Sequence, residues 1–200
     1  MRNSIFLFMI AASLALAPAL AAGTAEGNIR KAQEYENQGR HIEAERYYVQ
    51  AIKEAYALGQ NNHKIPDVLF TVAEYYRTRE NFGKAEEYYL KALNYKKRFV
   101  GENHFDLSPF YLGLGLLYQA EKKFYAAQTQ FECALELYRT KLKADRDMPL
   151  NDKRTINLGM ASCISYLADA KEQVEGFFPA QILRDKVSRI QANPTGDFHF

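Results

Sequence analysis

Three stretches of this chain obey one spacing rule, and the rule leaves few folds open. Ala44, Ala85 and Ala127 lie 41 and 42 residues apart. Four residues after each stands Tyr48, Tyr89 or Phe131, and seven after each stands Ala51, Ala92 or Ala134. Upstream, His41, Phe82 and Phe124 come three residues before, Tyr35, Tyr76 and Tyr118 nine before, and Ala32, Ala73 and Gly115 twelve before. Steps of three, four and seven put residues on one face of a helix. A recurrence of this length marks stacked repeats rather than one mixed core.

The residue types in the columns describe the packing. Ala or Gly stands where two helix backbones approach closely, and a large ring fills the space beside each contact. Each unit is therefore predicted to be a helical hairpin: one helix, a tight turn (NQGR in the first, RENFG in the second), then a second helix. A lone hairpin cannot cover its apolar face, so successive hairpins stack.

After Leu142 the columns fade. Asn151 and Asp152 offer a helix N-cap, and the chain from Arg154 to Phe177 reads as one long amphipathic helix. Pro179 suits the first turn of another helix, with Ile182, Leu183, Val187 and Ile190 on its apolar side. Setting Ala180 in the anchor column brings Phe177 and Ala168 into place and nothing else. This is a divergent fourth hairpin that caps the array, and its outer face should be more polar. Residues 193–200 read as a loose tail.

The columns resemble those of the tetratricopeptide repeat family, over roughly residues 25 to 142, in a longer 42-residue form. The loop from Phe99 to Phe110 carries Gly101, His104 and Asp106, which is similar to the connection in the kinesin-light-chain type of repeat. The preceding loop keeps Gly59, His63 and Asp67 at an altered interval, so both histidines read as loop-packing residues. The resemblance implies an all-α fold, a right-handed superhelical array of three clear hairpins plus the divergent capping one. It also implies a concave groove lined by the first helix of each hairpin. The groove residues here are then Ile29, Arg30, Gln33 and Asn37 in the first unit, and Phe70, Thr71, Glu74 and Arg77 in the second. The third unit supplies Leu112, Gly113, Leu116 and Gln119. Such a wall suits an extended or helical peptide with apolar anchors. Leu112 and Leu116 have a second reading, as cover for the long helix of the fourth unit. Members that grip a C-terminal carboxylate use an Asn column that holds Arg30, Thr71 and Gly113 here, so that clamp is incomplete.

The N-terminus adds a destination. Met1 to Asn3 is a short basic start, an apolar run follows, and Ala19-Leu20-Ala21 places small residues where a signal peptidase requires them. The expected organisation is a signal peptide over 1–21, three hairpins over 22–142, divergent capping helices over 143–192 and the tail over 193–200. An uncleaved anchor is the alternative, against which Pro18 counts. The expected location is exported, periplasmic or secreted. In an oxidising compartment Cys133 and Cys163 either form a bridge or stay as two buried thiols.

The formal net charge of +2 supplies no basic stripe for nucleic acid. The four histidines, His41, His63, His104 and His199, are scattered, and no metal-ligand spacing, phosphate loop or nucleophile elbow appears. The expectation is a non-enzymatic scaffold or adaptor with no cofactor or metal. Its partner is a protein or peptide, and its mature part does not span a membrane. Self-association is the alternative, and a small-molecule or enzymatic groove site ranks behind it.

Overall fold

The computed structural model describes residues 24–198; the expected signal peptide, its expected cleavage point after Ala21, and His199 lie outside the described residues. Among the described residues there are eight α-helices, one short 3-10 turn and no strand. The chain divides into two compact units, one ending at Val72 and the other starting at Ala73.

The first unit holds α1 (Ala25–Asn37), α2 (His41–Ala57) and the opening turns of α3 (Ile65–Thr78). Thr24 caps α1, its hydroxyl accepting from the Gly27 N–H at 3.1 Å. Ala32, Ala44 and Ala51 are fully buried where α1 and α2 touch, and Tyr48 fills the space beside them. Its hydroxyl donates to Glu36 at 2.5 Å, which satisfies the one polar atom the ring carries inward.

The second unit continues α3 and adds α4 (Phe82–Val100), the 3-10 turn (Phe105–Leu107), α5 (Ser108–Ala120) and α6 (Phe124–Ala144). It closes with α7 (Leu150–Glu175) and α8 (Phe177–Ala192). From α4 onward each helix packs on the next. Phe131, Leu135, Met160, Ile164 and Ile190 form the heart of the core where α6, α7 and α8 meet. Tyr118 ties the second hairpin to the third by donating to Glu86 at 2.6 Å.

The tight turns explain the tyrosine column nine residues before each anchor. In all three hairpins the second turn residue donates its N–H back to that tyrosine's carbonyl. Arg40 donates to Tyr35 at 2.8 Å, Asn81 to Tyr76 at 2.9 Å and Lys123 to Tyr118 at 2.8 Å. This is a Schellman closure, and it needs a left-handed residue just before the donor. Gly39 fills that place at φ 71°, but Glu80 and Lys122 are held there at 56° and 61°. Replacing either by glycine should raise stability by about 0.5–1 kcal/mol, because a Cβ is strained in that region. Urea unfolding of Glu80→Gly and Lys122→Gly checks this, and a loss of stability in both refutes it.

His104 serves its loop: its Nδ1 accepts from the Asp106 N–H at 3.2 Å, and its ring lies against Phe105. His63 is exposed in the loop between α2 and α3.

The fourth hairpin departs from the sequence reading in several places. Its long helix begins at Leu150, ahead of the expected cap at Asn151 and Asp152. Gly176, at φ 92°, separates α7 from α8. Ala180, Leu183, Val187 and Ile190 follow one stripe and face the core, but Ile182 lies off that stripe and is 61% exposed. Phe177 and Phe178 are exposed beside it, so the outer face is apolar where a polar cap was expected. Nor are residues 193–198 loose. Asn157, fully buried on α7, donates from its amide to the Pro194 and Gly196 carbonyls at 2.8 and 3.1 Å. A buried amide must find acceptors, and this segment supplies them.

Cys133 and Cys163 stand as free thiols rather than a bridge. Cys133 is half-buried, and burial, then the charge of Glu132, raises its thiol against a smaller opposing effect of Lys97 on α4. Cys163 lies in the core near Tyr138, where burial pushes its thiol up to about 12. The two thiols therefore face different neighbours.

Candidate functional site

Arg30, Gln33 and Asn37 step by three and four along α1, so they share one face. The opposite face is buried through Ala25 and Ala32, which turns this one outward. All three side chains are exposed and make no hydrogen bond or ion pair with another described residue. Ile29 is half-buried beside them. In the same unit Phe70 and Thr71 are half-buried, and the Thr71 hydroxyl turns back to the Asp67 carbonyl at 2.9 Å.

In the second unit the corresponding residues are engaged with each other. Tyr89 is fully buried and donates its hydroxyl to Glu74. The Arg77 guanidinium bonds the other Glu74 oxygen at 2.7 Å and reaches the Tyr89 hydroxyl at 3.3 Å. Burial opposes the Arg77 charge, but the hydrogen bond and charge of Glu74 outweigh it and raise its pKa. Burial, then the hydrogen bond and charge of Glu74, raises the Tyr89 phenol well above its ordinary value. Glu74 and Arg77 thus form one charge-assisted network that anchors a core ring.

Leu112 and Leu116 are half-buried and pack against the core of α6, α7 and α8, while Gly113 is buried. Gln119 is half-buried, and its Oε1 has no hydrogen-bond partner.

The tyrosines also set an alkaline limit. Burial, then Glu86, pushes Tyr118 up to about 12, and burial, then Cys163, pushes Tyr138 up to about 12. An unfolded tyrosine titrates near 10. A group whose folded pKa is raised gives stability that is full below the unfolded value and is lost as pH rises through the folded one. Thermal midpoints should therefore hold to about pH 10 and fall between about 10 and 12, less so in Tyr118→Phe. A flat profile to pH 12 contradicts this.

The α1 face offers a guanidinium and two amides in open solvent. Such groups read backbone carbonyls and carboxylates of an extended chain. Among the described residues no group of three or more His, Cys, Asp or Glu is placed to hold a metal ion. None of the described helices is long and apolar enough to cross a membrane.

Comparison with known proteins agrees with this arrangement. Two tetratricopeptide repeat models match, one over residues 25–57 and one over residues 64–140. The chain carries tetratricopeptide repeats in those two segments, which are its first three hairpins. Among solved structures, the crystal structure of BtubC (BKLC) from P. vanneervenii is similar, with a TM-score of 0.71 and 24% identity. The match covers 88% of this chain and 66% of that one, and at this identity it shows the fold alone. A search of curated proteins returned no match.

Sequence reasoning missed the Glu74–Arg77–Tyr89 network and the role of Asn157. For Asn157 a signal existed: it shares the stripe of Met160, Ile164 and Leu167, where an amide is out of place.

Proposed function

We propose that this protein is an exported, non-enzymatic adaptor whose tetratricopeptide repeats hold an extended segment of a protein partner. The observation that supports it most is the unengaged polar stripe of Arg30, Gln33 and Asn37 on α1. Among the candidate first-helix residues, these are the exposed ones that no described side chain engages. Within the second unit, Glu74 and Arg77 are bonded to each other, and Leu112 and Leu116 cover the core of α6, α7 and α8. The signal-peptide pattern before Ala21 supports export.

The test is capture of partners from the envelope or secreted fraction with the full chain, compared with Arg30→Glu, Asn37→Lys. These residues are exposed, so the variant should keep its fold and lose at least about tenfold in partner affinity. Equal capture by both proteins refutes the α1 face as the site.

A second reading, self-association, is favoured by the exposed Phe177, Phe178 and Ile182. A solution mass that falls from dimer to monomer in Phe178→Glu, Ile182→Glu would support it.

A further inference from the structure

The segment after α8 is bound in a way that reads chemistry rather than shape alone. Asn157 and Lys153 lie four residues apart on α7, hence on one face. Asn157 donates to the carbonyls of Pro194 and Gly196 across a turn that the Gly196 N–H closes on the Asn193 carbonyl at 3.0 Å. Lys153 pairs with Asp197. Phe198 packs on the core and shares a cavity lining with Leu142. So one amide meets two backbone carbonyls, a lysine meets the carboxylate and the core meets the ring.

We propose that the start of α7 and the end of α6 form a recognition site for a peptide turn followed by an acidic residue and then an aromatic one. Residues 194–198 occupy it in cis. Two observations point past a simple clasp. Asn157 Oδ1 is buried and has no hydrogen-bond partner, so the segment in place uses only half of what the amide offers. A bound segment that also presents an N–H would complete it. Beside Phe198 lies a cavity of about 800 Å³, lined also by Arg139, Leu142, Lys143 and Arg146. Its Asp145 is committed to Lys141 at 3.1 Å, whereas Lys143 and Arg146 have no ion-pair partner among the described residues. That surplus of positive charge fits further carboxylates beyond the aromatic residue, and guanidinium is suited to gripping them. The ligand is therefore an acidic protein segment that enters the site by a turn. This site uses none of the α1 residues, so it stands or falls apart from them.

The cis segment competes at the millimolar effective concentration of a short tether. The test releases it in the full chain with Asp197→Lys, Phe198→Ala and titrates a fluorescent peptide of sequence NPTGDFDD. The released chain should bind about tenfold or more tighter than the wild type. Adding Lys153→Glu or Arg146→Glu should weaken binding by about tenfold, while Arg30→Glu leaves it unchanged. A peptide with lysine at every aspartate position should not bind. If the doubly substituted chain loses its helical signal, Asp197→Asn, which keeps Phe198 in place, is titrated instead. A folded released chain that ignores the peptide, or binds the lysine form equally, makes the segment a structural clasp only and overturns the proposal.

Discussion

Gly115→Ala should cost about 1–3 kcal/mol in urea unfolding, although it adds a single methyl group. A Cβ at Gly115 would sit 2.3 Å from Phe131 Cε1 and 2.5 Å from Cδ1. The ring has nowhere to retreat: it is fully buried and stacks on Tyr166 with centroids 5.7 Å apart. Cores packed this tightly answer an added methyl with strain rather than with a small shift. The same column holds Ala32 and Ala73 in the first two hairpins, where the facing rings are Tyr48 and Tyr89 with hydroxyls bonded to Glu36 and Glu74. Phe131 has no such tether and lies over the glycine. Shortening the ring should therefore rescue the alanine. In a double-mutant cycle, Gly115→Ala with Phe131→Leu should cost about 1 kcal/mol less than the sum of the single changes. Additive costs would mean that Gly115 is small for another reason.

Tyr89→Ala should cost about 3–5 kcal/mol, the range for deleting a fully buried ring. Tyr89→Phe separates packing from bonding. It keeps the ring and removes only the hydroxyl that joins Glu74 and Arg77, for an expected cost of about 0.5–1.5 kcal/mol. Glu74 retains its bond to Arg77 at 2.7 Å, so no buried charge is orphaned. Chemical denaturation of both variants checks the pair. If Tyr89→Phe destabilises as much as Tyr89→Ala, the polar network rather than the ring holds this hairpin.

The internal architecture of the hairpins was legible because close helix contact restricts residue type severely. Only Ala or Gly lets two backbones approach, so Ala44, Ala85 and Ala127 announce themselves, and the three are fully buried. The turns were legible in place but not in chemistry. Nothing local marks Glu80 or Lys122 as left-handed, since the closure onto Tyr76 and Tyr118 imposes that conformation. The fourth hairpin was legible only in part. Its apolar residues exceed one stripe, and which of them face inward depends on how α8 is rolled against α7. The sequence pattern places Ile182 on the apolar side of α8, yet it lies outside the core.

The candidate binding residues show the same boundary. Family columns pick out Arg30, Gln33, Asn37, Glu74 and Arg77 alike as first-helix positions. Which of these remain free depends on partners brought from elsewhere in the chain. Tyr89 lies 15 residues from Glu74 and claims it, while no described residue reaches Arg30. Asn157 makes the point over a longer distance, since the carbonyls it grips lie 37 and 39 residues further on. Helical periodicity and contact size are local properties, repeated along the chain, and the sequence determined them alone: the hairpins, their columns and their order. Side-chain pairing over long separations depends on where each helix comes to rest. Only the tertiary structure could decide which donors are spent within the protein and which are left for a partner.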